Sequence, residues 1–308
     1  MKLEQLNTFL VAADLLNFTA AARRFDISQS AISQQIRELE ASLGVSLFER
    51  RGRGLVLTLA GERLRQRVPA VLREVRLARL ALQDLVGCEH GTLRIGANST
   101  PGIYLLPALL GIFSEQYPAV KVSLHIAPLE AVSRQLREGE LDMAVLTEGT
   151  QAVHLSDWES HHVGDDELSL IASVKHPLAG QRLTSAEAVR AHPLILRPNG
   201  SSTRQRVLAA LARLGIEETA LQITFELSHT EGIKQAVLSN LGIAWVSRMA
   251  CERERRAGWL REVNVHGLRL NRPLWALVPP MERRPAHLQA FLDLLSSTLA
   301  SVSLESDL

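Results

Sequence analysis

The chain of 308 residues has few of the residues that support disulfide bonds, metal sites or membrane insertion. Its two cysteines, Cys88 and Cys251, lie far apart and neither has a second cysteine at ligand spacing. This predicts neither a disulfide framework nor a zinc site. No apolar run approaches the roughly 18 residues of a membrane span, and polar residues interrupt the leucine-rich start too early for a signal peptide. We expect a reduced, cytoplasmic protein without a membrane partner.

Familiar catalytic motifs are also missing. The loop at residues 96–102 does not match a dinucleotide fingerprint, and no phosphate-binding Gly-Lys-Ser/Thr occurs. No Gly-x-Ser-x-Gly nucleophile elbow is present either. His154, His161 and His162 cluster without a cysteine or an ordered acidic partner, so we interpret them as surface or core histidines rather than metal ligands. The sequence thus predicts no catalytic residue, no metal, no cofactor and no enzyme.

Charge is spread unevenly along a chain of ordinary globular composition. The net charge is only +1, but residues 1–86 hold 13 Lys and Arg against 9 Asp and Glu, a net +4. The basic end suits a polyanionic partner. The length predicts two or three domains.

Residues 19–43 predict two short helices joined by the tetrapeptide 26–29. Thr19 is the expected N-cap of the first helix and Ser28 that of the second. The second helix has apolar residues on one face, and its other face carries hydrogen-bonding side chains at Gln29, Ser30, Ser33, Gln34 and Arg37. A helix–turn–helix needs such side chains against base edges in the major groove. Two amphipathic helices of any α protein would show the same periodicity.

The next segment favours the DNA-binding interpretation. Two β-like runs, residues 44–48 and 55–58, flank a glycine-containing tip that holds Arg50, Arg51 and Arg53. A basic hairpin of this kind lies along phosphates. With a further helix over residues 3–14, the sequence predicts a winged helix–turn–helix domain at residues 1–58.

Several short segments at the N-terminus together form a specific pattern. They are Leu6-Asn7-Thr8-Phe9, Asn17-Phe18-Thr19-Ala20-Ala21-Ala22, Ser28-Gln29-Ser30-Ala31-Ile32-Ser33, Ile36-Arg37-Glu38-Leu39-Glu40, Gly44-Val45-Ser46-Leu47-Phe48-Glu49-Arg50 and Leu57-Thr58-Leu59-Ala60-Gly61. In these residues, and in its overall plan, the chain resembles the LysR-type transcriptional regulators. Residues 197–204 and 231–237 are similar to the branch with carbon-fixation and sulfur-assimilation regulators. Gln34 and Gln35 stand where the family frequently has a basic residue, so the base preference of relatives is not carried over.

A long helix is predicted over residues 59–87. Its apolar residues recur at steps of four and three, at Leu64, Val68, Val71, Val75, Ala78, Leu82 and Leu85. This seam is typical of a coiled-coil pair, although a long helix packed on its own domain would also need an apolar face. Pro69 is expected to kink it. The resemblance implies that this helix joins two subunits, within a homotetramer built as a dimer of dimers.

Residues 91–308 alternate between strand and helix patterns, which predicts parallel sheets with crossover helices. The pattern restarts after residue 148, with a strand over 167–173 and a helix over 184–190 that a capping box at Thr184 and Glu187 opens. The resemblance implies a two-lobed, periplasmic-binding-protein-like α/β domain. We place lobe one at 91–163 and 268–308, and lobe two at 164–267.

Three loops at predicted strand ends are rich in hydroxyl groups and lead into helix starts. They contain Asn98, Ser99 and Thr100, then Ser201, Ser202 and Thr203, then His229 and Thr230, and Thr147 lies at the first crossover. Such loops suit a small carboxylate, phosphate or sulfate-like anion. Taken singly, each Ser or Thr is better explained as a plain N-cap; their coincidence at three loops favours binding.

Together these features predict a sequence-specific regulator that binds double-stranded DNA and responds to a small, anionic co-inducer between two lobes. RNA polymerase is a candidate further partner. The alternative is a small-molecule binding protein, or an enzyme on the α/β lobes, whose N-terminal helices serve only assembly. That alternative predicts no steeply salt-dependent DNA affinity.

Overall fold

The N-terminal domain consists of three helices and a hairpin. The structure, a computed structural model, describes residues 1–51, 54–84, 91–149, 153, 155 and 157–305. The elements of this domain are α1 (Leu3–Leu15), α2 (Phe18–Phe25), α3 (Gln29–Leu43), β1 (Phe48–Arg51) and β2 (Gly54–Leu57). Their apolar faces meet in one core around Phe9, Ile32 and Leu39. This is the predicted winged helix–turn–helix.

The N-cap of α2 differs from the prediction. The side chain of Asn17 accepts hydrogen bonds from the backbone N–H groups of Thr19 and Ala20 at 2.9 and 3.0 Å. The helix therefore begins at Phe18, and the expectation that Thr19 is the cap was wrong. Ser28 does cap α3, where its hydroxyl accepts from the N–H of Ala31. An Asn oxygen at the N-cap satisfies two of the helix's first donors.

The hairpin lies later in the chain than predicted. Residues 44–47 form a turn rather than a strand, because the carboxylate of Glu40 accepts from the N–H groups of Leu47 and Phe48. Strand β1 then pairs with β2 in the register Phe48↔Leu57 to Arg51↔Gly54. Arg50 and Arg51 consequently lie in β1 and not in the tip, and Arg53 lies outside the described residues.

Helix α4 (Leu59–Asp84) follows the hairpin and continues through Pro69, so the predicted kink does not interrupt it. Val68 is buried in the core of the N-terminal domain, and Leu64 and Leu72 pack against that core. The first part of the predicted seam thus packs within its own subunit, whereas Val71 is 42% exposed. The side chain of Leu82 and residue Leu85 lie outside the described part of the chain.

The remaining chain alternates strands with helices. Its strands are β3 (Gly91–Ala97), β4 (Val120–Ile126), β5 (Met143–Leu146), β6 (Glu159–Ser173), β7 (Arg182–Leu183), β8 (Leu194–Leu196), β9 (Ile223–Glu226), β10 (Ala244–Ser247), β11 (Leu260–Glu262), β12 (Asn264–Val265) and β13 (Asn271–Val278). Its α-helices, within the described residues, are α5 (Leu106–Gln116), α6 (Leu129–Arg137), α7 (Ser202–Arg213), α8 (Thr230–Leu238), α9 (Arg248–Arg256) and α10 (Ala286–Glu305).

Lobe one is a sheet covered by helices on both faces. Strand β3 pairs in parallel with β4 and β5, as the alternating pattern predicts. Leu93 and Ile95 of β3 pack with Phe113 of α5 and Phe291 of α10. Helix α6 covers the other face. A turn of π-helix over residues 101–105 precedes α5 and carries Tyr104.

Strands β6 and β13 connect the two lobes. Residues 159–167 of β6 pair with β13, whereas residues 168–173 pair with β10 and β11, so the partner changes between Glu167 and Leu168. The predicted strand began at residue 167, eight residues too late. Its missing half, ESHHVGDD, has no apolar alternation and is held by pairing with β13.

Lobe two packs around a second apolar core that includes Leu196, Val207 and Trp245. The helix predicted over 184–190 is a 3₁₀ turn at Ala186–Ala191, and its cap is Ser185, which accepts from the N–H of Glu187. The expected α-helix with a cap at Thr184 was therefore wrong. Across the described residues, no helix is both long and apolar enough to cross a membrane.

The cap assignment can be tested by substitution. Asn17→Ala leaves two N–H groups of α2 unsatisfied and should cost about 1 kcal/mol, or roughly fivefold faster amide hydrogen exchange in residues 18–25. Thr19→Ala is the control and should change exchange little. A larger effect of the Thr19 substitution would contradict the assignment.

Candidate effector cleft and DNA-binding surface

A buried ion pair joins the antiparallel strands β6 and β13 at the point where both strands pass from one lobe to the other. Nε of Arg272 donates to a carboxylate oxygen of Asp166 at 2.6 Å, and the two side chains are 5% and 0% exposed. The other Asp166 oxygen accepts from the hydroxyl of Ser247 at 2.5 Å. Burial raises the pKa of Asp166, an effect that Arg272 and Ser247 oppose. The pair fixes both crossing strands to each other.

The guanidinium of Arg272 also reaches into both lobes. Its Nη2 donates to Oγ1 of Thr100 at 2.6 Å and its Nη1 donates to Oγ1 of Thr203 at 3.1 Å. Thr100 follows β3 in lobe one, and Thr203 lies in the first turn of α7 in lobe two. The structure thus brings these two predicted effector residues to one arginine. Each threonine oxygen accepts from Arg272, so its own O–H can donate to an anion.

A second arginine lies on the lobe-two side. Nη1 of Arg197 donates to Oγ1 of Thr230 at 3.2 Å, at the start of α8. Its Nε is buried and has no hydrogen-bond partner within the described residues. Burial, and then the charge of Arg272, lower the pKa of Arg197. A buried N–H without a partner is a position at which an anion can accept a hydrogen bond.

On the lobe-one side, Asn98 joins the ends of β3 and β5. Its Nδ2 donates to Oγ1 of Thr147 at 2.7 Å and to Oε2 of Glu148 at 3.2 Å. The Thr147 hydroxyl donates to the same Glu148 oxygen and is buried. Asn98 Oδ1 is buried without a partner in the part of the chain that the structure describes. Asn98 and Thr147 therefore shape this loop, and Thr147 has already used its only proton.

The other predicted effector residues surround the helix starts of lobe two. Ser201 and His229 occupy the N-cap positions of α7 and α8, and neither makes a side-chain capping bond within the described chain. Ser202 is half-buried and His229 is exposed, and Ser99 is half-buried at the lobe-one loop. Arg204 bonds to Glu218 and Glu226, and also donates to the carbonyl oxygen of Arg197 at 2.9 Å.

A second contact joins the lobes near the cleft. The hydroxyl of Tyr104 in lobe one donates to Glu231 of α8 at 2.5 Å, and burial and this bond raise its pKa. Lys234 lies 5.5 Å from the Tyr104 ring centroid and pairs with Glu231 and Glu254 at 3.0 and 2.8 Å. This cluster holds α8 against lobe one.

Sequence reasoning missed Arg272, Asp166 and Tyr104 as parts of the site. Asp166 lies within the acidic run Asp165-Asp166-Glu167, and Arg272 lies between Asn271 and Pro273, so neither residue shows a local signal of a functional site. Their pairing spans 106 positions of the chain, which no local pattern reveals.

The predicted DNA-contacting residues lie on the outer face of α3 and on the hairpin. Gln29, Ser30, Gln34, Arg37 and Arg50 are exposed, and Ser33 is half-buried. Arg51 is exposed and pairs with Glu49 at 3.0 Å, a contact of little energetic value at the surface.

The clustered histidines bond to separate acids rather than to a common centre. His161 lies 2.9 Å from Glu159 and His162 lies 3.3 Å from Asp165, so each has the acidic partner that the sequence did not reveal. His154 lies outside the described residues. No group of three or more potential metal ligands occurs in the described ranges.

A winged helix–turn–helix, a long connecting helix and a two-lobed domain with two arginines at its cleft define a DNA-binding regulator that responds to a ligand. Residues 3–62 match the model of the bacterial regulatory helix-turn-helix protein, lysR family, and residues 87–300 match the LysR substrate binding domain. The chain belongs to the LysR family of transcriptional regulators, and it is a transcription factor rather than an enzyme.

Curated relatives and solved structures agree with this family. The chain is 33% identical to the Probable RuBisCO transcriptional regulator of Trichormus variabilis, over 94% of this chain and 86% of that protein. It is 31% identical to the HTH-type transcriptional activator CmpR of Synechocystis, over 98% and 97%. The CcmR regulatory domain of Synechocystis, solved in complex with 2-PG, is 26% identical over 68% of this chain and 98% of that one, with a TM-score of 0.59.

The buried ion pair makes a testable prediction. Arg272→Met leaves the Asp166 carboxylate buried without a cation and should destabilise the C-terminal domain by about 3–5 kcal/mol at neutral pH. Losing the cation raises the pKa of Asp166 further, so the folded state holds its proton more tightly and the loss should shrink as pH falls. Urea unfolding followed by tryptophan fluorescence measures it, because all four tryptophans lie beyond residue 90.

The control is Arg190→Met, which removes an exposed ion pair with Glu187 and should cost under about 0.5 kcal/mol. Replacing both members, Arg272→Met with Asp166→Leu, should recover much of the stability. Equal losses in the single and double variants would contradict the role of an uncompensated charge.

Proposed function

We propose that α3 contacts DNA bases and that the hairpin contacts phosphates. The base-contacting side chains are Gln29, Ser30, Ser33, Gln34 and Arg37, and the phosphate-contacting ones are Arg50, Arg51 and Arg53. The exposure of the α3 side chains on one face, next to exposed arginines of β1, supports this assignment. Glutamine, serine and arginine side chains match the donor and acceptor pattern of the major groove.

We propose that the effector is a small anion bound between the lobes. The observation that carries this proposal is the buried Nε of Arg197, which has no partner among the described residues and lies close to Arg272. The O–H groups of Thr100 and Thr203, and the backbone N–H groups at the starts of α7 and α8, add donors of the same kind. Ser99, Ser201, Ser202, His229 and Thr230 complete the proposed lining, and Asn98 and Thr147 support it. We propose no cofactor besides this small-molecule co-inducer.

The relative CcmR supports an anionic ligand, since its regulatory domain was solved with 2-PG. We therefore choose 2-PG as the first probe for this chain, together with phosphate, sulfate and small carboxylates.

Effector binding would be transmitted through the lobes to the DNA. An anion that accepts from Arg197 and from the hydroxyl groups of Thr100 and Thr203 would add a bridge between the two lobes, and so would favour one arrangement of them. In a homotetramer, a dimer of dimers in which α4 pairs subunits, this rearrangement would change the spacing of the DNA-binding domains. The exposed Val71 and Ala78 of α4 are available for such pairing. We propose a cytoplasmic regulator with RNA polymerase as a further partner.

The DNA-binding surface is tested with two substitutions. Arg37→Ala should lower discrimination between DNA sequences, because it removes a side chain that reaches base edges. Arg50→Ala should weaken binding to all sequences alike and reduce the slope of log affinity against log salt by about one. Equilibrium binding to selected and random duplexes at several salt concentrations measures both.

Wild-type affinity, discrimination and salt slope in both variants would refute the proposed surface. An absence of salt-dependent DNA binding in the wild-type chain would instead favour a small-molecule binding protein.

The effector site is tested by thermal melting of the full chain with each anion. A ligand at one hundred times its dissociation constant should add roughly 2.7 kcal/mol of stability. Arg197→Met should abolish the shift, since it removes the donor without a partner, and Arg190→Met should keep it. A shift that survives Arg197→Met would place the anion elsewhere.

A further inference from the structure

A chain of hydrogen bonds runs from the inside of the N-terminal domain to the outer face of α3. Glu38, on α3, accepts from Nε2 of Gln5 through one carboxylate oxygen at 3.0 Å, and from Nε2 of Gln34 through the other at 2.9 Å. Gln5 is 6% exposed, and its Oε1 accepts from the backbone N–H of Lys2 at 2.8 Å. Glu38 is therefore anchored from behind by a buried side chain.

The neighbours of Gln34 fix the direction in which its amide points. A carboxylate can only accept hydrogen bonds, so Glu38 requires the NH₂ group of Gln34 on its side. A guanidinium can only donate, and Nη2 of Arg37 donates to Oε1 of Gln34 at 3.2 Å. Arg37 is held in turn through Nε, which donates to the carbonyl oxygen of Ser33 at 3.3 Å. Both neighbours thus select the same orientation of the amide.

The adjacent Gln35 has a different role. The hydroxyl of Thr8, itself buried, donates to Oε1 of Gln35 at 2.5 Å. Gln35 is thereby tied to α1. Of the two consecutive glutamines, Gln34 is the exposed one on the face of α3 that carries Arg37.

In this orientation the Gln34 amide retains one N–H and one oxygen lone pair for a further partner. Adenine presents an acceptor, N7, next to a donor, the N6 amino group, in the major groove, and a glutamine amide can bond to both. Guanine presents two acceptors at the same edge, so the oxygen of this amide would find no donor there.

We propose that Glu38 is a positioning residue for sequence recognition, which holds the Gln34 amide so that it selects adenine. This inference rests on the proposed function, in which the outer face of α3 contacts bases. Glu38 itself acts through Gln34 and makes no contact with a base.

The experiment uses the full-length chain and a library of duplexes with a randomised region of about three helical turns. Selection with the wild type and with Gln34→Ala identifies the base positions whose preference depends on Gln34, and these should be adenine positions. Glu38→Ala should then reduce discrimination at the same positions on the order of tenfold. Its affinity for random DNA should be unchanged or higher, because a negative charge beside the phosphates has been removed.

The matched control is Glu40→Ala, the same substitution two residues further along α3. Glu40 bonds to the N–H groups of Leu47 and Phe48, so its loss should lower the melting temperature but leave base preferences unchanged. A purely structural role for Glu38 would give this result too.

The results for the two variants distinguish the positioning role of Glu38 from the base specificity of Gln34. If Gln34→Ala alters a preference and Glu38→Ala does not, the positioning role fails while the DNA-binding surface stands. If the positions that depend on Gln34 are not adenine, the specificity assignment fails. If neither variant alters any preference, Gln34 does not select a base and the inference fails, whereas the DNA-binding surface is decided separately by Arg37→Ala.

Discussion

The ion pair between Arg272 and Asp166 is the interaction on which the effector domain depends. Both members lie in the strands that cross between lobes, and both are almost fully buried. Two charges in such a place are costly to desolvate and persist only when their hydrogen bonds are satisfied. Ser247, Thr100 and Thr203 satisfy them. One buried hydrogen-bond network therefore connects strands β6 and β13 to the loop that holds Thr100 and to the first turn of α7, which holds Thr203.

Charge is used differently at the two ends of the molecule. In the proposed effector site, burial strengthens the attraction between Arg197 and an anion, because little water screens it. On α3 and the hairpin, Arg37, Arg50 and Arg51 are exposed, as the proposed contacts with a long polyanion require. Glu38 shows how one acid can be useful on such a surface, since it repels phosphate weakly while it orients its neighbour.

Local patterns predicted most of the architecture. Apolar periodicity gave α3, α4 and the parallel strands of lobe one, and the N-cap at Ser28 was correct. Errors arose where a contact distant in sequence decides the conformation. The first half of β6 is polar and is held by pairing with β13. Arg50 lies in β1 rather than in the hairpin tip, because the Glu40 carboxylate bonds to the backbone of the preceding turn. Hydroxyl-rich loops singled out Thr100 and Thr203, but the arginine that bonds to both comes from a strand more than 60 residues from either.

Val68 belongs at once to α4 and to the core of the DNA-binding domain. Arg65 of the same helix pairs with Asp14 of α1 at 2.6 Å, so the domain is fastened to the helix by more than its connecting residues. The 26 residues of α4 extend about 39 Å. Because α4 is stiff and the DNA-binding domain is packed against one end of it, the helix and the domain should move together. A tilt of a few degrees at the far end of α4 would therefore displace α3, the helix proposed to contact bases, by ångströms, enough to change its fit to a DNA groove.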